Sequence, residues 1–225
     1  MSFTTADVVK LRKITGAGMM DCKNALQEAD GNMERAIEII REKGKLVASK
    51  RADREASEGV VLSKVTGDKK FGAMIVLNCE TDFVAKNENF IAFADRILDV
   101  ALAQKPENLD ALKNLSIDDR AIDAQVTEQT GVIGEKIELS YYSKINAETV
   151  ICYIHPGNKL ATLVGFSKPD VDLQVAKDVA MQVAAMSPIA VSKENIPVNV
   201  IEKELEIAKE KFRQEGKPEA MLEKI

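Results

Sequence analysis

The stretch Phe71-Gly72-Ala73-Met74-Ile75-Val76-Leu77-Asn78-Cys79-Glu80-Thr81-Asp82-Phe83-Val84-Ala85-Lys86-Asn87 marks a change of period. Up to Cys79, apolar side chains fall on every second position (Phe71, Ala73, Ile75, Leu77, Cys79), the repeat of a strand with one buried face. Beyond it, Phe90, Ala94, Ile97, Leu98 and Ala101 recur at i, i+4, i+7, i+8 and i+11, one apolar stripe along a helix. This spacing predicts a long helix with Thr81 or Asp82 as N-cap, either side chain accepting from first-turn N–H groups. Phe83 lies seven residues before Phe90, two helical turns, so periodicity alone favours a core position for it. An exposed Phe83 beside a carboxylate at a helix tip would instead be an anchor for a partner's pocket.

Upstream of this junction, residues 1–55 read as a separate helical module. Thr4 or Thr5 can cap a helix through Ile14, Gly16-Ala17-Gly18 breaks it, and a second helix runs from about Met19 to Ala29. After Asp30-Gly31, Met33, Ala36, Ile37 and Ile40 form a third amphipathic pattern ending near Gly44. Three short helices suggest a ubiquitin-associated-like bundle. Met19 and Met20 open the second helix, where methionine more often fills core gaps than binds partners. Lys43, Lys45, Lys50, Arg51 and Arg54 follow. With no stacking aromatic between them, they read as a solvated helical linker more readily than as an RNA patch.

Val60–Val65 and Phe71–Cys79 flank a Gly67-Asp68 turn, an antiparallel hairpin. Helical patterns follow at Pro106–Leu115 and about Asp118–Thr130, and alternation returns at Lys136–Ser143 through Ile137, Leu139 and Tyr141. A second hairpin, Glu148–Ile154 and Lys159–Phe166, turns at Pro156-Gly157-Asn158 and precedes a helix over Asp172–Met186. Hairpin followed by helix therefore occurs twice, and the expected fold class is α+β, with core subdomains over 56–145 and 146–196. From 197 to 225, Val200, Leu205, Ala208 and Phe212 have helical spacing until Gly216-Lys217-Pro218, one arm of a helical hairpin.

Composition restricts the function classes. With 31 basic against 36 acidic side chains, the net charge of −5 argues against a nucleic-acid binder that relies on a global positive field. Cys22, Cys79 and Cys152, each within an apolar pattern, read as reduced core thiols of a cytosolic protein. No run reaches membrane-spanning length. An enzyme is disfavoured. The pair Cys152 and His155 would point to opposite faces of a strand, no further Cys or His stands at zinc-ligand spacing, and no phosphate-binding loop with a lysine occurs. Neither a metal nor a cofactor is expected.

The segment Thr81-Asp82-Phe83-Val84-Ala85-Lys86-Asn87 resembles the signature of the bacterial elongation factor Ts family. The resemblance extends over Thr15-Gly16-Ala17-Gly18-Met19-Met20-Asp21-Cys22-Lys23, Phe93-Ala94-Asp95, Tyr153-Ile154-His155 with Lys159-Leu160, and Gly216-Lys217-Pro218, in the family's order. It implies a guanine-nucleotide exchange factor for elongation factor Tu, in its GDP-bound and nucleotide-free forms, acting in protein biosynthesis. By the same resemblance, Thr81, Asp82, Phe83 and Val84 disturb the magnesium surroundings of the partner, Phe83 as a wedge. Arg12, Met19 and Met20 match residues that face the partner's nucleotide-binding domain. Gln182 stands where many members carry a histidine, and any charged role is lost there. In the family the helical hairpin returns and is followed by a C-terminal gripping segment, so the chain is expected to be a shortened form. A homodimer through the core or the hairpin is a further expectation. The alternative function is a ubiquitin-associated-like scaffold with a ribosomal or RNA partner.

Overall fold

The computed structural model of the chain describes residues 3–216. The fold is α+β, and the chain divides into two compact units between Ala184 and Ala185. The first unit begins with α1 (Thr5–Thr15), α2 (Met19–Glu28) and α3 (Met33–Lys50). Thr4 and Asp7 close a capping box on α1, Gly16 ends it in the left-handed region, and Asn32 caps α3 through the Arg35 N–H. Val8, Leu11, Cys22, Ala25, Leu26, Ala36 and Ile39 meet in a core of their own.

The third helix does not stop near Gly44 but continues to Lys50. The reason is a helix crossing. Gly44 is buried against Gly131 of α7 (Ile122–Ile133), and a Cβ on Gly131 would lie 2.2 Å from the Gly44 Cα. A glycine read from sequence as a breaker is thus retained for close approach of two helices.

β1 (Glu58–Val65), β2 (Phe71–Cys79) and β5 (Glu138–Asn146) form an antiparallel sheet in the order β1-β2-β5. Val60, Leu62, Ala73, Ile75 and Leu77 line its inner face against Phe90, Phe93, Ala94, Ile97, Leu98 and Ala101 of α5 (Glu88–Gln104). The β5 alternation expected through Tyr141 is broken by a register shift opposite Val76/Leu77, where Leu77 pairs Leu139 and Val76 pairs Tyr141. The extra residue, Ser140, reverses the faces beyond it. Tyr141 is consequently exposed, while Tyr142 packs on the core and donates its hydroxyl to the Pro106 carbonyl at 3.0 Å.

Of the patterns between these elements, α6 is only Leu109–Asn114, and a small hairpin, β3 (Ser116–Ile117) with β4 (Arg120–Ala121), delays the start of α7 to Ile122. The second hairpin, β6 (Thr149–Ile154) and β7 (Ala161–Phe166), joins the first sheet through Val61 N–H to Asn158 O at 2.8 Å and Val150 N–H to Lys69 O at 2.6 Å. It carries α8 (Leu173–Met186), which buries Ala176, Ala180 and Ala184 and accepts the Thr162 hydroxyl at Ala180 O. In the second unit a 3-10 turn at Lys193–Asn195 precedes α9 (Val198–Gln214), along which Val198, Ile201, Leu205 and Ile207 are exposed. The break expected at Lys217-Pro218 and the return helix lie outside the described residues.

Candidate functional site at the turn between β2 and α5

The single long helix expected after Cys79 is two helices. α4 comprises only Asp82–Ala85. Lys86 closes it, and Asn87, extended at φ −71° and ψ 127°, begins α5 by accepting the N–H groups of Asn89 and Phe90. The apolar stripe of α5 therefore has no phase relation to α4, and Phe83, favoured as core by periodicity, is 83% exposed. Phe90, seven residues on, is 3% exposed.

A helix of one turn cannot hold itself in water. What holds α4 is a set of bonds to distant residues. Thr81 has N-cap backbone geometry, but its side chain makes no capping bond. Its hydroxyl donates to Glu135 Oε1 at 2.6 Å, while the Glu80 and Thr81 N–H groups donate to Glu135 Oε2 at 3.1 and 3.0 Å. The Glu80 carboxylate in turn accepts the Lys136 N–H at 2.6 Å and the Arg51 guanidinium at 2.8 Å. These contacts hold the Glu80 carboxyl below the usual Glu range, the Lys136 N–H first and the Arg51 side chain as well, against partial desolvation. The buried Cys79 thiol donates to the Thr81 carbonyl at 3.1 Å, and burial pushes its pKa up to about 11, so it remains a protonated donor at neutral pH.

Within Thr81–Val84 the side chains therefore divide. Thr81 and Val84 are half-buried, the first on Glu135 and the second against the core. Asp82 is not the cap. It is the first helical residue and pairs with Lys86 at 2.6 Å across one turn, which lowers its carboxyl below the ordinary range. Phe83 points outward with no core partner.

The other candidates sit on other elements. Arg12, Met19 and Met20 flank the turn between α1 and α2; all three are exposed, Met20 at 64%. Gln182 is exposed on α8. Two cations of the 43–54 stretch face carboxylates, Lys43 on Glu28 and Arg51 on Glu80. Cys22 and Cys79 are buried free thiols, and Cys152 is half-buried. Just past β6, His155 meets the Tyr153 hydroxyl through Nδ1 at 2.8 Å. Among the described residues no group of three or more His, Cys, Asp or Glu is placed to hold a metal ion, and no helix is long and apolar enough to cross a membrane.

The family model described as Elongation factor TS matches residues 80–225, beginning at Glu80. The chain is 51% identical over 225 residues to elongation factor Ts of Azobacteroides pseudotrichonymphae, an alignment covering all of this chain and 81% of the relative. The chain belongs to the elongation factor Ts family. Elongation factor Ts of Christiangramia forsetii is 53% identical over 226 residues, with 99% of this chain and 81% of the relative covered. Family membership makes the chain a translation elongation factor, and the exposed Phe83 lies at the start of the matched region.

Three residues of the site escaped sequence reading: Glu80, Glu135 and Arg51. Glu80 directly precedes the Thr81–Asn87 signature, but its partners lie 29 and 56 residues away, and nothing local announces them.

Proposed function

We propose that the chain is a guanine-nucleotide exchange factor for elongation factor Tu and binds both its GDP-bound and its nucleotide-free forms. The supporting observation is Phe83, a large apolar side chain 83% exposed on a braced one-turn helix beside a carboxylate. Exposing an aromatic there forgoes roughly 1.5–3 kcal/mol of burial, and an anchor with a waiting pocket on a partner recovers it.

The mechanism follows from linkage. A protein that binds the empty GTPase more tightly than the GDP-bound one weakens GDP by the same factor. No acid, base or metal of its own is required, and the chain acts as a binding protein rather than as an enzyme with reacting side chains. Phe83 acts as the wedge. Asp82 acts on the magnesium surroundings of the partner, exchanging its contact with Lys86 for the new site, and loss of the ion removes charge compensation from the nucleotide's phosphates. Thr81 and Val84 hold the tip from beneath. Arg12, Met19 and Met20 form a second contact surface, and Gln182 a weaker third.

Release of fluorescent GDP from purified elongation factor Tu, with and without the chain, tests the reading. The expected result is acceleration that saturates with chain concentration. Asp82→Asn should slow release less than Phe83→Ala, and its defect should shrink once free magnesium is chelated. A defect equally large with chelator would remove magnesium from the mechanism. Unchanged GDP release together with a salt-dependent RNA shift would instead favour the scaffold.

A further inference from the structure

We propose that Glu80 and Glu135 form a reciprocal latch that orients the Phe83 tip and couples it to the N-terminal helices through Arg51, which makes these three residues positioning residues for exchange. The inference rests on the exchange reading above and deepens it.

The geometry is that of two turns capping each other. At the β2–α4 turn the Glu80 and Thr81 N–H groups follow the last residue of β2 and precede the first of α4, so neither the sheet nor the helix supplies them an acceptor. Glu135 supplies the acceptor from outside. Its own position is set by Gly134, which ends α7 in the left-handed region at φ 80°. The next N–H, that of Lys136, is satisfied in return by Glu80. Each carboxylate thus closes the other segment's backbone, and neither turn can rotate without breaking charge-assisted bonds at both.

The latch is also tied to the N-terminal helices. Arg51, just past α3, bonds Glu80, and the Lys136 ammonium donates to the Ala52 carbonyl at 3.0 Å. About two turns of helix back along α3 from Arg51 the same two segments meet again, Gly44 of α3 on Gly131 of α7. With α3 fixed at both places, a load on the Met19/Met20 surface reaches the tip through rigid helix. A second surface on a loose tether would raise affinity alone. A coupled surface also changes the rate at which bound partner loses nucleotide.

The test uses the full chain and elongation factor Tu loaded with fluorescent GDP, with release followed across chain concentration. Glu135→Ala is expected to lower the saturating rate several-fold with a smaller change in half-saturating concentration, and Glu135→Gln, which keeps one acceptor, to lower it less. Arg51→Ala should lower the saturating rate more modestly. The deciding arm is the double variant. If Glu135 works by orienting Phe83, Glu135→Ala adds little to Phe83→Ala, whereas independent roles multiply. Amide hydrogen exchange supplies a readout apart from activity: protection at Glu80 and Thr81 should fall in Glu135→Ala and partly in Arg51→Ala. Multiplicative rate effects, or unchanged protection at Thr81, overturn the latch. Phe83→Ala without effect on release overturns the exchange role of the tip itself, and the rate arm separates that failure from failure of the coupling.

Discussion

Phe83 and Phe90 stand seven residues apart, on what sequence presents as one helical face, and end in opposite environments: one 83% exposed, the other 3%. The difference lies in a single residue between them. Asn87 takes an extended backbone and offers its side chain to the next two free N–H groups, so α5 starts afresh and α4 is left as an isolated turn. Apolar period predicts burial only within one uninterrupted helix. The two phenylalanines are also used in two ways. Phe90 contributes to the fold, whereas Phe83 contributes nothing to the core and is held in place by polar bonds around it.

Exchanging each ring for alanine gives the largest expected contrast. Phe90→Ala should cost ~3–5 kcal/mol of stability, the usual loss for a buried phenylalanine. Phe83→Ala should leave the thermal midpoint within about a degree or two, because exposed substitutions usually stay within ~0.5 kcal/mol. Parallel melting curves and GDP-release rates should then show the inverse pattern, with catalysed release falling several-fold for Phe83→Ala. A large loss of stability at Phe83 with normal activity per folded molecule would make Phe83 a core residue like Phe90.

A smaller effect is expected at the residue that creates the difference. Asn87→Ala removes the α5 cap and should cost ~1 kcal/mol, measured by denaturant unfolding. If the boundary between the helices depends on that cap, the variant should also lower amide protection at Asn89 and Phe90.

The smallest effect concerns the acidic residues that hold the exposed half. Glu80 is surrounded by the Lys136 N–H, Arg51 and Arg54, and its carboxyl lies below the ordinary Glu value. For a carboxyl depressed by folding, the stabilisation is present above the unfolded-state value of about 4.3 and is lost as pH falls through the lower folded value. The melting difference between Glu80→Gln and the unsubstituted chain should therefore be constant near neutral pH and shrink below about pH 4. A difference independent of pH would mean that the ionised form of Glu80 is not what the latch uses.

Much of the fold was legible because it rests on local signals. The period-2 run Phe71–Cys79, the Gly67-Asp68 turn, the second hairpin and the stripe from Phe90 to Ala101 all appear where spacing put them. The tip residues were legible as a motif. The outward Phe83 followed from the resemblance and not from periodicity, since it depends on a helix break, and the inward Thr81 depends on a carboxylate 54 residues later.

Local signals specify the two main hairpins and their turns, the stripes of the longer helices and the stretch that carries the family's signature, because backbone preference and apolar period act over a few residues. Tertiary structure decided the rest. Gly44 passes through a helix because Gly131 lies against it, Tyr142 replaces Tyr141 in the core because Ser140 is an extra residue in the β5 register, and a one-turn helix persists because Glu80 and Glu135 satisfy each other's turns. In each case the deciding partner is remote in the chain, and only the packed fold brings its backbone or charge within bonding distance.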